Sequence, residues 1–228
     1  MKCRAIECLF LGMLLFASVS CHDQDEEQDT FVNAAYAIGV PASAAQAAEK
    51  DLQNFLKLIT EQDLEQFNFS NLAEVERAQL GTPFKQYAID PQAVLAYTPE
   101  TDINAIITPM DIWHFPVMVD GAMRTLLAVE KREGEWEAVT IGSSGLAKAW
   151  ETIQNNAKEE GISELKFISL FQAAMDIVLR VDPQGNSLMI PLEWNPTTST
   201  FEVGKGYAPS EMMLILRECL QKKSEPRE

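Results

Sequence analysis

The chain has 228 residues and carries 34 acidic against 18 basic side chains, a formal net charge of −16. Such a surplus excludes nucleic acid and anionic lipid surfaces as partners, because both are held by basic patches. The length suits one domain with a sizeable core, and two histidines in the whole chain leave a transition-metal site poorly supplied.

At the N-terminus, Lys2 and Arg4 precede an apolar run, Leu9 to Val19. That run has the length of a signal-peptide core and falls short of the roughly 20 apolar residues that span a bilayer. Ser18-Val19-Ser20-Cys21 follows. This tetrapeptide resembles the lipobox of bacterial lipoproteins, whose Cys is lipidated and becomes the first residue of the mature chain. Small Ser20 fits the pattern, and Ser18 stands where the family favours an aliphatic residue. The Ser18/Ser20 pair also suits an ordinary signal peptidase, which would release a soluble protein. The resemblance implies that residues 1–20 are a signal peptide and that Cys21 carries palmitate-type acyl chains. It implies a membrane address in the cell envelope, on the periplasmic or surface face of the outer membrane. Each buried methylene contributes about 0.8 kcal/mol, so several chains hold permanently where one holds marginally.

Cysteine usage agrees with export. Cys3 and Cys8 leave with the signal, Cys21 becomes a thioether, and Cys219 alone remains, so no internal disulfide can form. Cys219 lies in an apolar helical stretch and reads as a small buried hydrophobe. Residues 22–29, HDQDEEQD, contain nothing to bury, so residues 21–40 are read as the lipidated Cys and a solvated acidic tether. The tether lacks the turn Gly and closing Glu of a calcium loop, so no metal site is assigned to it. Acids directly after the Cys resemble the surface-export signal of Bacteroides-type lipoproteins.

A single domain is expected over residues 41–223. Its helices should occupy 41–80, a sheet core 81–204, and a last helix 210–222. Pro41 and Ser43 open a helix whose stripe is Leu52, Phe55, Leu56 and Ile59. Asn71 and Glu74 have capping-box spacing for a second helix, which Gly81 would end. Phe84 to Ile89 reads as a strand, and 90–108 as mostly irregular. Ile112–Val119, Asp120-Gly121 and Ala122–Lys131 predict a hairpin, since Asp-Gly supplies the positive φ of a type I′ turn. Glu133-Gly134 turns the chain again into Trp136–Ile141, completing a meander. Ser143 or Ser144 is placed to cap a helix bearing Leu146, Trp150 and Ile153, with Gly161 near its end. Leu165–Val181 fits either a helix face or a strand face, and the turn at 182–186 favours strands leading to Ser187–Trp194. Ser210 then caps a helix carrying Met213, Leu214, Leu216, Arg217 and Leu220. The fold class expected is α+β: an antiparallel sheet, meander plus C-terminal hairpin, with helices packed mainly on one face.

Leu80-Gly81-Thr82-Pro83-Phe84, Trp113-His114-Phe115-Pro116-Val117, Asp120-Gly121, Gly134-Glu135-Trp136, Ile141-Gly142 and Leu146-Ala147 form a further pattern. Over roughly residues 80 to 192 it resembles a module recurring in uncharacterised bacterial secreted and envelope proteins. The quoted positions are turns and core, so the resemblance implies an extracytoplasmic module and no catalytic residues.

Three constellations bear on chemistry. Gly142-Ser143-Ser144-Gly145 follows a strand and opens a helix, the setting of a hydrolase nucleophile elbow, but Leu146 stands where the second Gly belongs. A serine hydrolase here would need His114 as base, whereas a helix cap is the plainer use of Ser143 or Ser144, worth about 1 kcal/mol. Gly204-Lys205-Gly206 lacks the Gly-Lys-Ser/Thr order of a phosphate loop and reads as an ordinary loop. Glu130, Glu133, Glu135 and Glu137 cluster around a turn and read as a solvated strand edge rather than a carboxylate pair for acid–base work. The function expected is therefore non-catalytic, without cofactor or metal. It is a membrane-tethered domain that binds an envelope protein, a peptide or a glycan, with Trp113, Trp136, Trp150 and Trp194 as candidate contact residues. Two alternatives stand beside it: the Ser143/Ser144–His114 hydrolase, and a prosegment-like chaperone or inhibitor of a secreted peptidase.

Overall fold

The computed structural model describes residues 38–162, 164–193 and 201–224. Cys21, residues 22–37 and Trp194 lie outside them, whereas Val40, which the sequence reading placed in the solvated segment 21–40, is 1% exposed and belongs to the core beside Ala44 and Ala45. Helix α1, Ala42–Leu56, starts at Pro41 and buries Ala44, Ala45, Ala48, Leu52 and Leu56, a stripe at helical spacing. Small alanines on that stripe let the helix backbone approach the sheet closely. Leu58 and Ile59 continue in tight i→i+3 turns, leaving Ile59 buried and Leu58 exposed.

Half of the capping box forms as its spacing predicts, and the returning Glu74 bond goes to the residue before the N-cap instead of to Asn71 N. Asn71 Oδ1 accepts from Glu74 N at 3.0 Å, and Glu74 Oε2 accepts from Ser70 N at 2.8 Å. Helix α2 nevertheless covers only Leu72–Glu76, not the stretch to Leu80. Gln79–Leu80 instead form strand β1, paired with Met118 and Val117. Gly81 is not a helix terminator. A Cβ there would lie 2.8 Å from Met118 Cγ, so glycine is what lets this segment lie against its neighbour strand.

Strand β2, Phe84–Ile89, is followed by helix α3, Pro91–Ala96, capped by Asp90, and by a 3-10 turn, Ile103–Ile106, capped by Asp102. These two short elements occupy the segment that the sequence left irregular. The meander follows as β3 (Ile107–Val119), β4 (Ala122–Arg132) and β5 (Glu135–Gly142). Asp120 and Gly121 both have positive φ, at 52° and 81°, as a type I′ turn requires.

Helix α4, Ser144–Glu159, is closed by a Schellman motif: Ile162 N donates to Ala157 O and Gly161 N to Lys158 O, with Gly161 at φ 72°. The ambiguous 165–181 stretch resolves into two strands, β6 (Glu164–Leu170) and β7 (Met175–Val181), joined by a turn in which Ala174 has φ 49°. Strand β8, Ser187–Glu193, and helix α5, Pro209–Ser224, complete the domain. Met212, Met213 and Leu216 anchor α5, whereas Leu214, expected on the same stripe, is 55% exposed.

The class is α+β, built on an eight-stranded sheet of order β5-β4-β3-β2-β6-β7-β8 with β1 beside β3. The sheet is mixed rather than wholly antiparallel, because β2 pairs with β6 in parallel. Two antiparallel meanders, β3–β5 and β6–β8, therefore meet through β2. The cause is the α4 connection, which carries the chain off the β5 edge and delivers β6 beside β2.

Alternation along β3 sorts the core by face. Trp113, Phe115 and Val117 pack with α1, and the neighbouring half of that face is closed by Met212, Met213 and Leu216 of α5. The opposite face buries Phe84, Phe167 and Val178 beneath Leu146, Trp150 and Ile153 of α4. Helices thus lie on both faces, where the sequence pointed mainly to one.

Candidate functional site

His114 lies on β3 between Trp113 and Phe115, so its side chain takes the α4 face. There it stacks on Phe84 at 5.2 Å and meets the edge of Phe167 at 5.1 Å. Its Nε2 is 2.7 Å from Gln86 Oε1. A carbonyl oxygen only accepts, so with the amide oriented this way Nε2 carries the proton. Gln86 Nε2 then donates to Ser169 Oγ at 3.0 Å, and Ser169 Oγ donates to Asp176 Oδ1 at 2.6 Å. The result is a polarised chain, His114–Gln86–Ser169–Asp176, crossing β3, β2, β6 and β7. It spans the parallel junction between the two meanders.

Burial governs both ends of this chain. It lowers the His114 pKa from 6.5 to about 4, so the ring is neutral at pH 7. Burial also raises the Asp176 carboxyl, and the Ser169 hydrogen bond partly offsets that rise. His114 Nδ1 is shut off from solvent and has no hydrogen-bond partner. Gln86 and Ser169 are themselves buried. A hydrogen bond of this kind contributes about 1 kcal/mol net, and removing one partner costs more than that mean. Chemically the chain fixes the imidazole tautomer and ties four strands in register, with no open lone pair presented to a substrate.

The structure does not bring the serines to that histidine. Ser144 Oγ donates to the carbonyl of Gln66 at 3.1 Å, and His114 Nε2 is engaged by Gln86. Ser143 is the N-cap residue of α4, yet it makes no side-chain cap. Its φ of 62° is left-handed, whereas a capping hydroxyl needs an extended backbone to reach the second or third helical N–H.

Among the described residues the tryptophans do not supply a contact face either. Trp113 is 5% exposed and Trp150 2% exposed, the latter stacked on Phe84 at 4.1 Å, and Trp136 is partly buried against the α1 core. Among the described residues no two tryptophans are exposed together, and the aromatic binding face expected from them is absent there. The glutamates lie on β4 and β5 and the turn between them, with β5 at the sheet margin. Arg132 pairs with Glu130 at 2.9 Å and Glu137 at 3.6 Å, and Asp51 of α1 accepts from Ala138 N at 3.3 Å. A charged, partly capped margin of this kind resists pairing with another strand. Among the described residues no group of three or more His, Cys, Asp or Glu side chains gathers as a metal set, and no helix is long and apolar enough to cross a membrane.

Gly204-Lys205-Gly206 acquires a setting that sequence reasoning missed. Residues 204–207 run along β8: Gly204 N donates to Pro191 O, and Tyr207 exchanges backbone hydrogen bonds with Met189. The loop borders a cavity of about 140 Å³. Its apolar floor is Ile153, Leu188 and Ile190, and Arg180 and Asn156 supply its polar wall. Lys205 takes no part in that wall, since it pairs with Glu202 at 3.4 Å and sits 5.4 Å over the Tyr207 ring. No linear motif joins Arg180 and Asn156 to the loop; only the folded sheet brings them together.

Compared with protein-family models, curated proteins and solved structures, the chain matches none of them.

Proposed function

We propose that this chain is an extracytoplasmic lipoprotein, held at the outer membrane through Cys21, whose α+β domain binds a partner and performs no chemistry. The observation that supports binding over catalysis is the internal engagement of the candidate reactive groups. His114 is neutral and oriented toward Gln86, and the Ser144 hydroxyl is bonded to a backbone carbonyl. General-base catalysis needs an imidazole lone pair within reach of the proton it removes. An accessible cavity with a polar wall and an apolar floor is instead the make-up of a small binding site. The class of partner is an envelope protein, a peptide or a glycan.

Fractionation tests the address: Cys21→Ala is expected to move the protein from the membrane fraction to the soluble one. Capture from detergent-solubilised envelope, with mass spectrometry of what is retained, tests the binding role. Ester hydrolysis abolished by Ser144→Ala at an unchanged melting temperature would contradict the non-catalytic reading.

A further inference from the structure

Where α4, β7, β8 and the 204–206 loop meet, the cavity of about 140 Å³ has room for only a few water-sized groups. A Cβ at Gly206 would lie 3.3 Å from Leu188 Cδ1, so the loop sits tightly on β8 and closes one side with backbone. Arg180 faces this space with its guanidinium half used. Its Nη1 holds the two carboxylate oxygens of Glu160 at 3.1 and 3.0 Å, and no protein hydrogen bond is formed by Nε or Nη2 among the described residues. That edge, without a partner among the described residues, is the fork that grips a carboxylate through two parallel N–H···O bonds. Beside it, Ile153, Leu188 and Ile190 offer an apolar bed for a short carbon chain.

We propose that this cavity binds an aliphatic carboxylate, with its head on the Nε–Nη2 edge of Arg180 and its body on Ile153, Leu188 and Ile190. The inference rests on the binding-module reading and names the chemistry of the ligand. Two sources present this group: the C-terminal residue of a peptide, and a free short-chain acid. Glu160 competes for the same guanidinium, and the Asp182 carboxylate also feels its charge. Binding is therefore weak and salt-sensitive, and loss of the Glu160 charge strengthens it.

The test titrates the full chain in detergent with isobutyrate and with acetyl-Ala-Val, each against its neutral amide, following backbone amide signals by NMR. Both acids, or one of them, are expected to shift Asn156, Gly204 and Gly206, and the amides to leave them in place. Which acid acts identifies the source. Glu160→Gln is expected to tighten binding about fivefold, the scale of one exposed ion pair, and Arg180→Met to weaken it more than tenfold. Glu160 is 51% exposed, so its variant keeps the test valid if Arg180→Met fails to fold. The inference is overturned if neither acid shifts these signals, if the amides shift them equally, or if Glu160→Gln weakens binding. Equal shifts by the amides leave the binding-module reading standing; that reading fails separately, if envelope capture retains nothing.

Discussion

His114 enters the core uncharged, and its pH behaviour follows from that. Its folded pKa, about 4, lies below the ordinary 6.5. The stability it contributes is therefore present above about pH 6.5 and lost as pH falls through 4, on the order of 2–3 kcal/mol after allowing for partial exposure. The urea midpoint is expected to fall over that window, and His114→Phe to flatten the fall; an unchanged slope in the variant would contradict this. Asp176 has the opposite sign. Burial raises its pKa, so its contribution is present below the ordinary carboxylate value and lost as pH rises through the raised one. Asp176→Asn keeps an acceptor for Ser169 without the buried charge, and is expected to be more stable than the parent at pH 7 in the same titration. Little of this was legible in the sequence. His114 was visible as an odd residue between two aromatics, but its partners Gln86, Ser169 and Asp176 lie on three other strands. A polar Gln on the inward side of a strand, one alternation from Phe84, was the available signal.

Local chemistry foretold whole elements where it was self-sufficient. Asp120-Gly121 and Glu133-Gly134 set their hairpins because positive φ is demanded at those residues, and Asn71 with Glu74 began a helix because the cap is made within four residues. Competition between local and distant partners was not visible. Helix α2 stops after Glu76 because Gln79–Leu80 find β3, and β6 lies parallel to β2 because of where α4 sets the chain down. Gly81 distinguishes the two kinds of cause. A helix-terminating glycine sits at positive φ, as Gly161 does, and Gly81 is not among the positive-φ glycines. As the point of close approach to Met118, Gly81→Ala is expected to cost about 1–2 kcal/mol. Met118→Ala in the same chain should recover part of that loss in a denaturation series. Neutral behaviour of Gly81→Ala, or no recovery with Met118→Ala, would contradict the close approach as the reason for glycine.

At the scale of the molecule, two meanders share one sheet and the His114–Gln86–Ser169–Asp176 chain crosses the seam between them. Gln86→Leu removes the middle of that chain and is expected to destabilise the domain by about 2–3 kcal/mol. Hydrogen exchange should rise first at the β2–β6 amides; uniform acceleration across the sheet would show that the seam has no separate weakness. The Arg180 cavity lies beside the same second meander, on the face that α4 covers, so strand and helix residues form most of its lining. A chain with a net charge of −16 is poorly suited to hold an anionic membrane by charge, so the proposed membrane address rests on Cys21. Intact-mass and N-terminal peptide analysis of the protein purified from membranes tests that dependence most directly. The account predicts a chain beginning at Cys21 and carrying acyl and diacylglyceryl groups. A chain that still begins at Met1, or one in which the Cys21 thiol is unmodified, would contradict it.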